Sequence, residues 1–241
     1  MTEWHIRYGG RRIMIYWHVE RKSACIYSQL KRCSSSEVAA MIEGVLRHDT
    51  EMEVERSYVD SHGQSEVAFA FCHLLGFELL PRLKGLSRQK LYRPGAERPG
   101  EHPTYQALAE LGKSVKTAFL CRYLHSEELR REVQEALNVV EQWNGTNGFI
   151  FYGKGGEVAT NRLEDQEISM LCLHLLQIAL VYVNTLMIQK VLGDPAWMRR
   201  LTGEDLRALT PLIHAHVNPY GAFELDMETR LALDEPSGLA A

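Results

Sequence analysis

Residues 52–83, MEVERSYVDSHGQSEVAFAFCHLLGFELLPRL, decide the fold class. Residues 52–60 alternate in polarity and predict a strand that ends at Asp60. Residues 64–76 predict a helix stopped by its final glycine, and residues 77–83 predict another short strand. This strand–helix–strand order is typical of α/β proteins. A carboxylate at a strand end, ahead of a helix, suits metal chemistry, and it equally suits a helix cap.

The segments on either side extend the pattern. Residues 12–19 and 24–30 are rich in β-branched and aromatic side chains and predict a hairpin, and residues 34–46 predict a helix opened by serine caps. The chain beyond a basic, turn-rich loop at 84–103 becomes strongly helical. The predicted helices are 104–124, one that Ser126 caps, about 164–192 and two short stretches after Pro195, with a glycine-rich connection at 145–157 between the second and third.

The charge of the chain is unevenly distributed. The net charge is −4, yet residues 1–32 carry seven Lys or Arg against two acids, and residues 82–98 carry six against one. Residues 203–235 carry seven acids against two Arg. Basic clusters interleaved with Tyr and Trp suit a phosphate backbone. Solvated faces on a nearly neutral protein account for them equally well.

The cysteines and the apolar segments limit the class of protein. Five scattered cysteines without a C-x-x-C pair argue against disulfides or a zinc site and favour a reducing compartment. The N-terminus is polar and lacks the apolar region of a signal peptide. The long apolar stretch 168–188 is interrupted by Ser169, His174, Gln177 and Asn184, which favours a helix buried on most sides over a membrane span.

One glycine-rich motif resembles a phosphate-binding loop but fails in its details. Residues 148–155 nearly match a P-loop, yet Gly155 replaces the Ser or Thr that would bind magnesium. No helix is predicted to start directly after Lys154, where a phosphate would need the helix N-terminus. A tight turn is the favoured interpretation.

Two acidic residues are candidates for metal ligands. Glu141 lies at the edge of the predicted apolar face of its helix, whereas Glu132 and Glu135 lie on the side where solvent is expected. An exposed surface glutamate is the competing interpretation of Glu141. A strand-end carboxylate and a helix carboxylate packed across the same sheet can hold magnesium, but many α/β proteins offer such a pair. The combination of Asp60 and Glu141 is therefore a hypothesis.

Several long segments resemble one family over essentially the whole chain, in order. They are WHIRYGG (4–10), MIYWHVERKSACIYSQL (14–30), YVDSHGQSEVAFAFCHLLGFELLPRLK (58–84), KLYRP (90–94), ALNVVEQWN (136–144) and GFIFYGKGGEVATNRLEDQEISML (148–171). This pattern resembles the Tn-three family of replicative bacterial transposases.

The resemblance implies a fold and a chemistry. The implied fold is an α/β, ribonuclease-H-like mixed sheet flanked by helices, with a mostly helical C-terminal half. The implied reaction uses Mg²⁺ or Mn²⁺ and a D-D-E triad to cut the 3′ ends of a transposon and join them to target DNA. Asp60 matches the second acid and Glu141 the glutamate. His18 matches a histidine close to the family's active site.

The chain departs from the family pattern at two places. The family's first aspartate precedes the WHIRYGG segment, so no acid of this sequence can be assigned to it. The helical insertion between KLYRP and HPTY is shortened near residues 94–103, leaving Asp60 and Glu141 only 81 positions apart. We therefore expect residues 1–192 to form an incomplete catalytic domain that lacks its first strand, followed by a helical extension and tail at 193–241.

The expected function is metal-dependent DNA cleavage and strand transfer, with the isolated chain inactive or nearly so. Two alternatives remain: a non-catalytic remnant that binds DNA or inhibits a full-length transposase, and a stand-alone nuclease of the ribonuclease H type that works with two acids. Expected partners are DNA, a full-length transposase and a second copy of the chain, without a membrane, in the bacterial cytoplasm or on the nucleoid. The candidate DNA-binding residues are Arg7, Arg11, Arg12, Arg82, Lys84, Arg88, Lys90 and Arg93.

Overall fold

The structure is a computed structural model with a mixed α/β architecture rich in helix. It describes residues 3–5, 10–21, 23–48, 50–92, 102–150, 158, 160–218, 221–222, 224 and 226–229; the side chains of residues 4–5, 10–12 and 62 lie outside the description. The strands are β1 (Glu3–His5), β2 (Gly10–Arg12), β3 (Met14–Val19), β4 (Cys25–Lys31), β5 (Arg56–Val59) and β6 (Glu78–Pro81). The helices are α1 (Glu37–Arg47), α2 (Glu66–Leu74), α3 (Pro103–His125), α4 (Glu127–Ile150), α5 (Leu163–Leu192), α6 (Pro195–Met198) and α7 (Gly203–Ala208).

The strands of the described residues form three separate pairs and not the single mixed sheet that was expected. Strands β1 and β2 are antiparallel, β3 and β4 form the predicted antiparallel hairpin, and β5 and β6 are parallel. The hairpin and the parallel pair do not join because no strand of the described chain lies between β3 and β5. The α/β class is thus confirmed, while the sheet is divided.

The β5–α2–β6 unit forms as the opening segment predicts, although β5 starts at Arg56 and not at residue 52. The Ser65 hydroxyl caps α2 by accepting a hydrogen bond from the Ala68 amide at 3.1 Å. Helix α2 ends in a Schellman motif, in which the Phe77 amide donates to the Cys72 carbonyl. Gly76 sits at the left-handed position of this motif with φ of +88°, a conformation that other residues adopt at a cost.

The larger hydrophobic core lies among β5, β6 and helices α1 to α4. Its residues are Met41, Val59, Ala68, Phe69, Cys72, Phe77, Leu79, Leu80, Leu83, Phe119, Leu120, Tyr123, Leu129, Val133 and Leu137. Helix α4 begins where predicted, because the Ser126 hydroxyl accepts from the Leu129 amide at 3.0 Å. Its first three turns supply one wall of this core.

A second, smaller core joins the hairpin to the C-terminal helices. Cys25, Trp143, Val181 and Leu212 are buried in it, and Trp17 lies with its ring centroid 5.9 Å from that of Trp143. The Trp143 indole donates to the carbonyl of Ser23 in the hairpin turn at 3.0 Å. Helix α4 therefore contributes to both cores.

Helix α4 continues through Ile150, so the prediction of a glycine-rich connection beginning at residue 145 is wrong. Thr146 and Asn147 are buried, and the Asn147 side chain accepts a hydrogen bond from Gln177 of α5. These tertiary contacts outweigh the low helix propensity of Gly145 and Gly148. A tight turn is consequently wrong for residues 148–150, and residues 151–155 of the P-loop-like motif lie outside the described chain.

Helix α5 is not buried on most sides, contrary to the expectation for its apolar sequence. Its buried face includes the polar residues Gln166, Gln177 and Asn184, while Leu175 and Tyr182 are more than 60% exposed. The side-chain Nδ2 of Asn184 donates to the backbone carbonyls of Pro211 and Ile213. By length and composition α5 is the one helix of the described chain long and apolar enough to cross a membrane.

Gly112 allows α3 to approach the start of α2. A methyl group on Gly112 would overlap the backbone carbonyl of Glu66, so we expect Gly112→Ala to lower the free energy of unfolding by about 1–3 kcal/mol. Gly145→Ala is the matched control, because a methyl group there meets open space and alanine favours helix by roughly 1 kcal/mol. Urea denaturation followed by circular dichroism measures both; equal stabilities for the two variants would contradict the close contact.

Candidate active site

A cavity of about 300 Å³ lies between the hairpin and the parallel pair of strands. It is lined by Tyr16, Trp17, His18, Val19, Glu20, Arg21 and Ile26 of the hairpin, residues 52–59 leading through β5, Met41 and Val45 of α1, and Ala136 and Val140 of α4. The candidate residue His18 thus lines the cavity. Asp60 and Glu141 each directly follow a residue that lines it, Val59 and Val140.

Asp60 directly follows β5, as the sequence predicts, and is partly buried. Its carbonyl accepts a hydrogen bond from the Gly63 amide, which closes a short 3-10 turn at Ser61–Gly63. The helix α2 is capped by Ser65, so Asp60 is not its cap. Asp60 instead directly precedes the 3-10 turn at Ser61–Gly63.

The phenol of Tyr16 in β3 experiences the charge of Asp60. Burial, followed by the charges of Glu37 and Asp60, raises the pKa of the Tyr16 phenol well above its ordinary value. Tyr16 therefore remains a neutral phenol in neutral solution. The sequence identified Tyr16 only as one of the aromatic residues among the basic clusters, because only the tertiary structure brings β3 close to the end of β5.

Glu141 is exposed on α4. The sequence predicted a position at the edge of the apolar face, and its neighbour Val140 does line the cavity. No group of three or more His, Cys, Asp or Glu side chains placed to hold a metal ion occurs in the described part of the chain. The structure thus places Asp60 and Glu141 beside residues of one cavity without building a closed metal centre.

Glu132 is the acidic residue of α4 that packs against β5. The prediction that it lies on the solvent side of the helix is therefore wrong. It accepts hydrogen bonds from the Arg56 guanidinium at 2.8 Å and from the Tyr58 hydroxyl. The bond from Tyr58, followed by those from Arg56, lowers the pKa of the Glu132 carboxyl. Helical spacing could not reveal this contact, because its partners come from a strand more than seventy residues earlier.

His18 is held against α1 on the cavity wall. Its Nε2–H donates to the Ala40 carbonyl at 3.2 Å, and a methyl group on Gly44 would overlap its ring. The Tyr27 ring packs against it edge-on with centroids 5.7 Å apart. Burial lowers the pKa of His18 to about 4, so the imidazole is neutral at pH 7.

The exposed basic residues that follow β6 lie at the same edge as Asp60. The Arg82 amide donates to the Val59 carbonyl at 2.9 Å, which places Arg82 beside the end of β5. Lys84, Arg88 and Lys90 are exposed on the following loop. The side-chain Nε2 of Gln89 in that loop donates to Oε1 of Gln64 at 3.2 Å, which tethers the loop to the Asp60 turn.

Four of the candidate DNA-binding residues cannot be placed by their side chains. Arg7 and Arg93 lie outside the described residues, and Arg11 and Arg12 belong to β2 but their side chains lie outside the description. Of the other four, Arg82 lies beside the end of β5, and Lys84, Arg88 and Lys90 are exposed on the loop that Gln89 tethers to Gln64.

The donor chemistry near the cavity fits a hard divalent cation. Carboxylate oxygens are the ligands that Mg²⁺ prefers, and Mg²⁺ is commonly held by one or two carboxylates together with water and substrate phosphates. Asp60 and Glu141 supply two such groups. A D-D-E triad has three carboxylates, and its first aspartate has no assigned counterpart here.

The chain is similar to transposases along most of its length. The model of the Tn3 transposase DDE domain matches residues 1–101 and 96–223. The chain is 24% identical over 276 residues to the transposase of transposon Tn1546 from Enterococcus faecium, covering 93% of this chain and 28% of that protein. It is 26% identical over 268 residues to the transposase of transposon Tn501 from Pseudomonas aeruginosa, covering 90% and 27%, respectively.

These matches establish the class and the family of the protein. The chain carries the DDE domain of a transposase. It belongs to the Tn3 transposase family, and it spans little more than a quarter of the length of these relatives.

The depressed pKa of His18 gives a testable pH dependence of stability. The unfolded chain binds the His18 proton near pH 6.5, whereas the folded chain binds it only near pH 4, so stability decreases as pH falls between these values. We expect this residue alone to remove roughly 3 kcal/mol between pH 7 and pH 4. The measurement is urea denaturation at several pH values for the parent and for His18→Gln.

The His18→Gln variant retains a side-chain amide that can donate to Ala40, and it should lose this part of the pH dependence. His73→Gln, at an exposed position of α2, serves as the control and should leave the parent profile unchanged. Identical pH profiles for the parent and His18→Gln would show that His18 titrates normally in the folded chain.

Proposed function

We propose that this chain is the catalytic part of a Tn3-family transposase, with metal-dependent phosphoryl transfer on DNA as its chemistry. The observation that carries the proposal is the position of Asp60 at the end of β5, beside the cavity and the tethered basic loop. Active sites of α/β proteins commonly lie at the carboxyl ends of strands. The proposed domain is a ribonuclease-H-like unit at 1–192, with 193–241 as an extension.

Asp60 and Glu141 are the proposed ligands for Mg²⁺ or Mn²⁺. The metal, when bound, would activate a water or a terminal hydroxyl and stabilise charge on the phosphate. His18 would contribute a neutral imidazole at the cavity wall, where its Nε2 is already occupied by the Ala40 carbonyl. Its proposed role is therefore to position β3 against α1, not to act as an acid or base through that nitrogen.

The internal shortening near residues 94–103 is supported by the comparisons. The family model matches in two pieces that meet at residues 96–101, and the alignment to the Enterococcus faecium relative is longer than this chain. The relative thus carries residues without a counterpart here. With one ligand of the triad unassigned, the proposed state of the isolated chain is one that binds DNA without cutting it, in the bacterial cytoplasm.

Plasmid nicking in Mn²⁺ tests the proposed inactive state of the isolated chain. We expect the folded chain to produce no more nicked plasmid than its Asp60→Ala and Glu141→Ala variants, because losing a ligand lowers metal affinity and activity by orders of magnitude. Glu135→Ala, at an exposed position of the same helix, is the control. Nicking abolished by the first two substitutions and kept by the third would instead establish a two-carboxylate nuclease.

The salt dependence of DNA binding tests the basic surface. Replacing Lys84, Arg88 and Lys90 together by Ala should reduce the slope of log affinity against log salt by about 3, since each phosphate contact contributes about 0.9. The control replaces the exposed residues Arg131, Lys190 and Arg199. Equal slopes for the two triple variants would remove the loop from the DNA-binding surface. Fluorescence anisotropy with a labelled duplex at a series of salt concentrations provides the measurement.

A further inference from the structure

Helix α5 carries a row of apolar side chains on its exposed side. Its members recur at alternating intervals of three and four residues and are 41–70% exposed; they form the α5 seam, which consists of Ile168, Leu171, Leu175, Ile178 and Tyr182. Steps of three and four residues keep side chains on one stripe of a helix, and two helices that pack along each other meet through such a stripe. The spacing of the seam therefore fits another helix as its occupant.

The other side of α5 is fixed to the rest of the molecule, so the seam points outward. At about 100° per residue, the buried side chains of α5, such as Gln166 and Gln177, lie on the face opposite the seam. The Gln177 amide donates to Asn147 of α4, and Nε2 of His174 donates to the Cys25 carbonyl at 3.2 Å. These contacts hold α5 in one orientation, in which the seam stays at the surface.

The middle of α5 carries no charge. Residues 168–189 include no Asp, Glu, Lys or Arg, so a helix that covers the seam buries no charged side chain of α5. Cys172 and Ala179, which lie beside the seam, are exposed and small. The distance between two packed helices depends on the side chains at their contact, and small ones allow a close approach.

The charges at the two ends of α5 are opposite in sign. Residues 162–167 contain three acids and one arginine, a net charge of −2, and residues 190–200 contain one lysine, two arginines and one aspartate, a net charge of +2. A second copy of α5 running in the opposite direction would place each acidic end beside a basic end. A parallel copy would place like charges together at both ends. The helix is therefore complementary to itself in the antiparallel direction.

A lipid bilayer fits this surface less well than a second copy does. Helix α5 is long and apolar enough to cross a membrane, but crossing would break the contacts of Gln177 with Asn147 and of Asn184 with two loop carbonyls. Helices that lie on a membrane surface are rich in Lys and Arg on their polar face. Helix α5 contains one lysine, Lys190, and no arginine, and its first turn is acidic.

We propose that two copies of this chain dimerise through the α5 seam, with their α5 helices antiparallel and related by a two-fold axis near Leu175. In such an isologous interface the same surface of each copy meets the other, as the self-complementary charges require. The sequence indicated a second copy as a partner without indicating a surface, and the seam supplies one. The interface rests on α5 alone and does not depend on the proposed catalytic function.

Sedimentation equilibrium of the full chain, without DNA or metal, tests the interface. We expect a monomer–dimer equilibrium that Leu175→Glu weakens at least about tenfold, because the substitution places a charge from each copy at the centre of an apolar contact. Met187→Glu is the matched control, since Met187 is also an exposed apolar residue of α5 but lies away from the seam. It should leave the dissociation constant of the dimer unchanged. Circular dichroism establishes that both variants fold.

Cysteine crosslinking tests the orientation of the two helices. The parent for this experiment carries serine at the cysteines that are not buried, Cys33, Cys121 and Cys172. With copper phenanthroline as the oxidant, Leu175→Cys should crosslink to its own copy at the two-fold axis. Ile168→Cys should not, because an antiparallel arrangement separates it from its copy by about 20 Å along the helix. A parallel pair would crosslink at both positions.

The outcomes separate the seam from other occupants and from catalysis. A chain that stays monomeric up to its solubility limit, or a dimer that Leu175→Glu and Met187→Glu weaken equally, would overturn the interface. Crosslinking of Ile168→Cys to its own copy would overturn the antiparallel arrangement. A monomeric chain that binds vesicles of phosphatidylcholine and phosphatidylglycerol, and loses this binding in Leu175→Glu, would make a membrane the occupant and overturn the dimer. Asp60→Ala should dimerise as the parent does, so failure of the interface and failure of the catalytic proposal remain distinguishable.

Discussion

Helix α4 is the element on which the arrangement of the molecule depends. Its first half packs Leu129 and Val133 into the larger core, and its second half buries Trp143 in the smaller one. Between these points Glu132 binds Arg56, and the Trp143 indole reaches the hairpin turn at Ser23. One rigid helix therefore holds β5 and the hairpin at a set separation although no backbone bond joins their strands.

The candidate site is built mainly around the parallel pair of strands. Asp60 follows β5 and is held by its own turn, and the basic loop after β6 is tethered to that turn through Gln64 and Gln89. These features depend on the parallel pair alone. The candidate ligand on α4, Glu141, is exposed. The described residues contain no group of three His, Cys, Asp or Glu side chains placed to hold a metal ion.

The polarity of α5 shows how far burial can depart from hydropathy. Its inner face contains Gln166, Gln177 and Asn184, and the Asn184 amide satisfies two loop carbonyls beyond the helix. Many apolar side chains of the same helix face outward. Exposed apolar faces of this extent are typical of surfaces that contact another protein.

Local sequence signals were sufficient for the order of the elements from β3 to α5, whereas β1 and β2 were not predicted. Serines at residues 36, 65 and 126 cap the three helices that follow them, and Gly76 ends α2, because caps and left-handed glycines act within a few residues. The family was also predictable from the sequence, because segments that resemble it occur along nearly the whole chain in the family's order. The position of Asp60 at a strand end was also a local property.

Only the tertiary structure decided which surfaces are buried and which strands pair. Helix α4 continues through two glycines because Trp143, Thr146 and Asn147 make buried contacts. The low helix propensity of glycine had predicted that the helix would end before them. Glu132 binds strand residues that are distant in sequence, so helical periodicity placed it in solvent. The gap between β3 and β5 was invisible to strand patterns, because a pattern shows that a strand forms but not that its neighbour is present.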